Sequence, residues 1–298
     1  MFRNVTKAVI PAAGFGTRML PFAKAVPKEL IPLADTPVLE YVVREAVDAG
    51  ITDILIIISP GKEAVRQHFS PAPVLEERLK NSGKEHLLAD LNNLLSKVNI
   101  RYVYQYEQKG LGHAVSLASE FVGDDPCLVL LGDTVMDSFT GVSVAAQLVG
   151  VYQKFGSSVI ALEEVPPEKV SSYGIAAGRE ILPGILQLEK LVEKPSVKDA
   201  PGNHAVAARY LLTPGIFHLL SETTPGLHGE IQLTDAIVKL MAAEDVYGCR
   251  IAGRRYDLGS VSGFVAANVE FALRRPDLQE SLGGQIVEIL KKQSITVQ

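Results

Sequence analysis

The chain has no tryptophan, two cysteines in 298 residues, and no apolar run longer than a single strand requires. Each absence removes a class of protein. Cys127 and Cys249 stand far apart, without a companion cysteine or the spacing of a metal module, which excludes a disulfide framework and a structural zinc site. Both read as inert core residues. Runs such as "ILIII" and "CLVLLG" are too short to span a bilayer, and the opening "MFRNVTKAVIPAAG" has no long apolar region before a cleavage site. The expectation is a cytoplasmic protein with no membrane partner. An excess of positive charge is missing too: 29 Lys and Arg against 34 Asp and Glu give a net charge of -5, which argues against a nucleic-acid partner. The chain also lacks a G-x-S-x-G elbow, a P-loop GK[ST] and an H-E-x-x-H pair, and its six histidines are scattered. His113, in "KGLGHAV", reads as a helix-start or satisfied core histidine.

What is present is an ordinary globular balance, 47% apolar and 21% charged, in a chain long enough for one large α/β domain with an appendage. The short apolar runs "KAVIPAA", "DILIIIS", "IRYVYQY" and "CLVLLGD" alternate with helical patterns such as "PVLEYVVREAVDAG", which ends in the glycine expected past a helix C-terminus. This βαβ rhythm predicts a parallel sheet covered on both faces, with ligands at the carboxyl ends of its strands. Between the second and third runs, "PVLEERLKNSGKEHLLADLNNLLSKVN" reads as a helical insertion over about 74–98, two amphipathic helices broken at "NSGKE". After residue 156 the rhythm changes to "SSVIALEEV", "YGIAAGR", "ILQLEKLVEKP" and "HAVAARYLL", strands with a hairpin at "GREILPG", followed by a helix in "EIQLTDAIVKLMAAE". This half is expected to extend the sheet and build the other wall of a cleft. From Val261 onward the pattern is mostly helical, with an apolar stripe suited to the core or to a second subunit.

The stretch "KAVIPAAGFGTRMLPFAKAVPKELIPL", residues 7–33, carries the most chemistry. It is not a dinucleotide fingerprint, because the third glycine of that motif is Met19. Backbone N–H groups around Gly14 and Gly16 can instead approach a phosphate or a base closely, with Arg18 and Lys28 supplying positive charge. Pro21, Pro27 and Pro32 restrict the loop, which suits a polyphosphate; the alternative is a tight turn with solvated cations. Asp133 closes "CLVLLGD", and Asp257 lies in "RRYDLGS" after the strand "VYGCRIAG". Two carboxylates converging from distant strands suit one Mg²⁺; each alone reads first as a turn or cap residue, so the case rests on the combination. In "LVEKP", Glu193 and Lys194 occupy opposite-facing positions at a strand end. The lysine can face a sugar phosphate while the glutamate accepts from hydroxyls if the strand twists there; otherwise they are a solvated pair on an edge. With no nucleophile evident, positioning and charge are the expected means of catalysis.

In order along the chain, "AVIPAAGFGTRMLPFAKAVPKELIPL", "PVLEYVVREAVDAGITDI", "QKGLGHAV", "YGI", "VEKP" and "GEIQLTDAI" closely resemble the bacterial UTP–glucose-1-phosphate uridylyltransferases of the sugar nucleotidyltransferase superfamily. The resemblance runs from Lys7 to about Arg274. It implies a Rossmann-like, mostly parallel mixed sheet flanked by helices. It divides a catalytic domain over 1–260 into a nucleotide-binding half to about 156 and a sugar-binding half from about 157, with a helical tail over 261–298 as a possible oligomer contact. By the same resemblance Ala12, Ala13 and Gly14 lie beside base and ribose, with Gly16 in the same nucleotide loop. Arg18 and Lys28 meet the triphosphate, Glu29 lies near the nucleotide, and Gln105 and Gly110 read uracil. Asp133 and Asp257 match Mg²⁺ ligands, and Gly174, Glu193 and Lys194 match positions contacting glucose 1-phosphate. The implied reaction joins UTP and glucose 1-phosphate to give UDP-glucose and pyrophosphate, in an enzyme expected to be a homodimer or homotetramer. A thymidylyltransferase, a uridylyltransferase for another hexose 1-phosphate, and a UTP- or UDP-sugar-sensing homologue are the alternatives. "PKE" at 27–29 and the helical insertion favour uridine. The chain departs from the family pattern at Gly132 and Leu258, and in detail at "HGE" (228–230) and at "AAR" (207–209), the last expected near the sugar side.

Overall fold

The structure, a computed structural model, describes residues 2–226 and 229–293, so His228 of "HGE" lies outside the described residues. Strand β1 (Lys7–Pro11) runs into the glycine-rich loop, which a short hairpin of β2 (Pro32–Leu33) and β3 (Thr36–Pro37) closes before helix α1 (Val38–Asp48). β4 (Asp53–Ile58), α2 (Glu63–His68), the helical pair α3 (Pro73–Asn81) and α4 (His86–Leu95), and β5 (Asn99–Tyr104) follow. α5 (Leu111–Ser116) and α6 (Ser119–Val122) lead to β6 (Cys127–Leu130), β7 (Thr134–Ser138) and α7 (Val144–Phe155). The second half contains β8 (Val159–Glu164), β9 (Gly174–Leu182), β10 (Ile185–Glu193), β11 (His204–Leu212), α8 (Gly215–Ser221), α9 (Leu233–Leu240), β12 (Tyr247–Arg250) and β13 (Gly253–Asp257). α10 (Val261–Leu273) and α11 (Pro276–Lys292) complete the described chain. None of the described helices is long and apolar enough to cross a membrane.

A nine-stranded sheet runs in the order β5-β4-β1-β6-β11-β8-β12-β10-β9. The first four strands are mutually parallel, as the βαβ rhythm requires. Beyond β6 the pairing turns antiparallel except for β8 with β12, and β9 and β10 form the hairpin that Gly184 turns with φ 76°. Period-two alternation sorts the strands' side chains between two cores. Ala8, Ile10, Ile54, Ile56, Leu128 and Leu130 pack against α1, α2, α4 and α7, whereas Val9, Leu55, Ile57 and Val129 pack against α5, α6, α8 and α9. Cys127 and Cys249 are free and buried.

The sequence reading overlooked one element. β7 leaves the main sheet and pairs antiparallel with β13 as a separate two-stranded ribbon. Val135, Tyr256 and Leu258 fasten this ribbon to Ala267 of α10 and to Leu33 and Val38 in a small core of their own. Asp257 therefore ends β13 rather than following β12, and its register partner is Thr134, the neighbour of Asp133.

Beneath the turn 131–134 sits Arg209, wholly inaccessible to solvent. Its register slips past β8 at a bulge between Val206 and Tyr210, where Ala208 adopts φ 57°, and the side chain enters the core instead of facing the sugar side. The guanidinium donates to Glu45 Oε2 from Nε and Nη2 (3.0 and 2.7 Å), to Thr134 O (2.8 Å) and to Ala208 O (3.0 Å). Glu45 Oε1 in turn accepts from Ala145 N (3.0 Å) at the start of α7, so α1, α7, β11 and the aspartate turn meet on one ion pair. Arg209→Met strands a buried carboxylate and is expected to lower the unfolding free energy by about 3–5 kcal/mol in urea titrations. Adding Glu45→Gln should recover part of that loss, since no uncompensated charge remains and the amide oxygen can still accept from Ala145.

Candidate active site

The glycine-rich loop leaves β1 at the carboxyl edge of the parallel strands, where their open ends face a cavity. Ala12 and Ala13 are buried at the strand end, with Ala12 N donating to Ile57 O at 2.8 Å. Gly14 is exposed. Gly16 has φ 65°, which glycine adopts without cost, and a Cβ there would lie 3.2 Å from Lys28 Cδ, so the lysine stem crosses directly over it. That crossing places Lys28 Nζ 2.5 Å from Asp133 Oδ2. Burial acts to lower the Lys28 pKa and to raise that of Asp133, but each group's charge and hydrogen bond outweigh it for the other. Lys28 is thereby held above the ordinary lysine value and Asp133 below the ordinary carboxylate value.

Arg18 follows the same loop to the ribbon. A Cβ on Gly259 would lie 2.7 Å from Arg18 Nη2 and 3.1 Å from Asp257 Oδ1, so the guanidinium rests on the open face of that glycine beside Asp257. Gly259 N donates to Asp257 Oδ1 at 3.0 Å. Arg18, Lys28, Asp133 and Asp257 thus converge although they come from three separate parts of the chain.

Lys62, which the sequence reading did not select, holds the loop from below. Its Nζ donates to Ala12 O (2.7 Å), Gly14 O (2.6 Å) and both carboxylate oxygens of Glu29 (2.9 and 2.8 Å). Burial is the largest influence on this pair and pushes Glu29 up and Lys62 down from their ordinary values, with their mutual attraction opposing both shifts. Glu29 is consequently occupied with Lys62 and braces the loop. Lys62 stands just past the carboxyl end of β4, the same kind of position that singled out Asp133.

At the other wall of the cavity, Gln105 extends β5 by one pairing, Gln105 N to Ile58 O at 2.8 Å, and its amide Nε2 lies 3.2 Å from Gly110 O. The cavity, of about 270 Å³, is lined by Gly14, Lys28, Glu29, Gln105, Gly110 and Asp133, together with Ala13 and Glu230 among others. Gly110 (φ 95°) and Gly112 admit a close backbone seam: Gly112 N donates to Ile231 O (2.8 Å) and Ile231 N to Lys109 O (2.7 Å). A Cβ at Gly110 or Gly112 would lie 2.8 or 2.7 Å from Ile231 O.

The expected sugar-side residues also assemble. Gly174 pairs with Glu193 in the β9–β10 ladder, and its missing side chain leaves room for the Glu193 carboxylate, 3.2 Å from where a Cβ would stand. Thr234 Oγ1, another residue not anticipated, donates to Glu193 Oε2 at 2.6 Å. Lys194 does not simply face away from Glu193. With φ 45° it leaves the strand conformation, donates its N–H to Tyr173 O (3.0 Å), and brings Nζ to 3.6 Å from Glu193 Oε1. Backbone strain at a non-glycine residue is thus what turns this lysine toward its neighbour's side.

A basic, glycine-lined loop at strand ends, opposed by two aspartates, with no serine, threonine, cysteine or histidine lining the cavity among the described residues, suits the handling of phosphate groups by position and charge. The chain belongs to the nucleotidyl transferase family, whose profile matches residues 7–273. It is 42% identical over 298 residues to the UTP–glucose-1-phosphate uridylyltransferase of Bacillus subtilis, covering 98% of this chain and 100% of that one. Among solved structures it is similar to UDP-glucose pyrophosphorylase complexed with UDP-glucose, with a TM-score of 0.84 at 38% identity, over 91% of this chain and 100% of that one. The UTP-bound UGPase from Acinetobacter baumannii gives a TM-score of 0.88 at 37% identity, over 95% of this chain and 99% of that one.

In Lys28→Met, burial of Asp133 loses its principal opposition, and its carboxyl is expected to titrate at higher pH than in the wild type, read by ¹³C NMR of the side-chain carboxyl. In the wild type the depressed value stabilises the fold. That contribution is complete above the unfolded carboxylate value of about 3.9 and is lost as pH falls through the lower folded value. The variant should therefore show less of this acid-side stability loss in urea titrations below about pH 4.

Proposed function

We propose that this protein transfers the uridylyl group of UTP to glucose 1-phosphate, giving UDP-glucose and pyrophosphate. The convergence of Arg18, Lys28, Asp133 and Asp257, of which Lys28 and Asp133 line the cavity, carries the reading, because it supplies both signs of charge that a triphosphate and its metal require. A phosphate oxygen of glucose 1-phosphate attacks the α-phosphorus of UTP in line. The bond from that phosphorus to the bridging oxygen breaks, and pyrophosphate leaves with the electron pair. The attacking phosphate is already anionic at neutral pH, so no general base is needed.

Ala12, Ala13, Gly14 and Gly16 receive the nucleotide, Gln105 and Gly110 its base, and Arg18 and Lys28 its triphosphate. Glu29 serves through Lys62 by keeping the loop carbonyls in place. Gly174 and Glu193 hold the sugar, and Lys194 its phosphate. Asp133 and Asp257 are hard oxygen donors at one end of the β7–β13 ribbon, a set that fits Mg²⁺ when phosphates and water complete its shell. When bound there, Mg²⁺ offsets the negative charge that keeps the two phosphate groups apart. In this reading the nucleotide half spans about 1–156, the sugar half about 157–260, and α3 with α4 forms the insertion. Exposed Val261, Val265 and Val269 of α10 and Val287 and Ile289 of α11 suit burial against a second copy in a homodimer or homotetramer.

Pyrophosphate release with Mg²⁺ and glucose 1-phosphate, measured separately with UTP, dTTP, ATP and GTP, tests the reading. Strong preference for UTP is expected. Asp133→Asn and Lys194→Ala should each lower kcat by about 100-fold or more, the scale on which a single charge-stabilising group acts in a water-poor site. Preference for dTTP would assign the protein to thymidylyl transfer, and UTP binding without release under any sugar 1-phosphate would make it a sensor.

A further inference from the structure

His113 stands in the first turn of α5, outside the set of residues given a role above. Its Nδ1 lies 2.9 Å from Gln105 Nε2, whose other contact is Gly110 O at 3.2 Å. A carbonyl oxygen only accepts, so the Gly110 contact must be made by the amide nitrogen of Gln105 and not by its oxygen. The amide's second N–H is then directed at His113 Nδ1, which must present its lone pair and carry the ring proton on Nε2. Both donors of Gln105 are spent on the protein. Its Oε1 has no hydrogen-bond partner among the described residues, on a side chain that lines the nucleotide cavity.

An oxygen held in that way can only accept. It suits a base edge that offers N–H, such as the N3–H of the uracil imide, and opposes the N3 lone pair that cytosine presents at the same position. We infer that His113 is a positioning residue that fixes the Gln105 amide in its accepting orientation and thereby sets the preference for an imide base over cytosine. The inference rests on the reading that UTP occupies this cavity. It assigns to His113 an effect on base choice that a purely structural histidine would not have.

The test compares kcat/KM for UTP, dTTP and CTP in the wild type, His113→Leu and His113→Asn. Leucine removes the acceptor, whereas the Oδ1 of asparagine can take the place of Nδ1. In His113→Leu the UTP:CTP ratio should fall about tenfold, on the scale of one hydrogen bond in a buried site. The UTP:dTTP ratio should stay within about twofold, because thymine shares the imide edge, and the loss with UTP should appear in KM more than in kcat. His113→Asn should recover most of the UTP:CTP ratio. An unchanged ratio in His113→Leu, or equal losses with UTP and CTP that asparagine does not restore, would overturn the role given to His113. If His113→Leu does not fold, His113→Ala makes the same comparison. Gln105→Leu separates the underlying reading from the inference: a ratio it leaves intact means that Gln105 does not read the base and that His113 cannot act through it. If the wild type does not turn over UTP, uridylyl transfer fails as a reading, and UTP and CTP affinities of the same variants by calorimetry decide the role of His113.

Discussion

Burying a charge is costly unless an opposite charge meets it, and this constraint organises the carboxyl edge of the sheet. Three basic side chains descend there, and each ends on a carboxylate: Lys28 on Asp133, Lys62 on Glu29, Arg209 on Glu45. The last two pairs are the deeper; apart from the bond that Glu45 accepts from Ala145 N, their remaining bonds go to backbone carbonyls at 12, 14, 131, 134 and 208. They spend ionic interactions on fixing loop backbone. Lys28 and Asp133 lie higher, where, in the proposed function, incoming phosphates and a cation take over each partner's role.

The two walls of the site are built on different principles. The wall proposed to receive the nucleotide relies on glycine, at 14, 16 and 110, and on buried ionic ties that hold an irregular backbone in one shape. The wall proposed for the sugar relies on the long β9–β10 ladder, where regular pairing sets Gly174 opposite Glu193 and a single left-handed residue turns Lys194 out of the strand pattern. A parallel half supplies open strand ends for a loop-built pocket, and an antiparallel half supplies a rigid rim.

Much of this arrangement is legible in the sequence. Apolar runs of strand length, glycine past helix ends and the basic loop lead directly to the parallel half and to Gly14, Gly16, Arg18 and Lys28. Local pattern does not reach what depends on pairing between distant segments. Thr134–Ser138 and Gly253–Asp257 carry no strong strand signal, because each is stabilised chiefly by the other and by α10. Arg209 interrupts an apolar run in "HAVAARYLL" and is expected from the sequence near the sugar side, because the bulge at Ala208 that directs it inward leaves no local signal. Lys194 could be placed at a strand end but not aimed, since its direction comes from a φ that composition does not reveal. Lys62 was within reach, as the only lysine immediately past the strand "DILIIIS", and was obscured by the turn chemistry of "SPGK" around it.

The seam between residues 109–112 and Ile231 ties the segment proposed to frame the base to the segment that leads into α9, where Thr234 holds Glu193. Because it is backbone against backbone, with no side chain between to yield, a displacement on one side is transmitted to the other. With base and sugar seated as proposed, the choice of one is therefore mechanically linked to the choice of the other. A lineage that reshapes one of these pockets must retune the other, and swapping either specificity alone by loop exchange would disturb both.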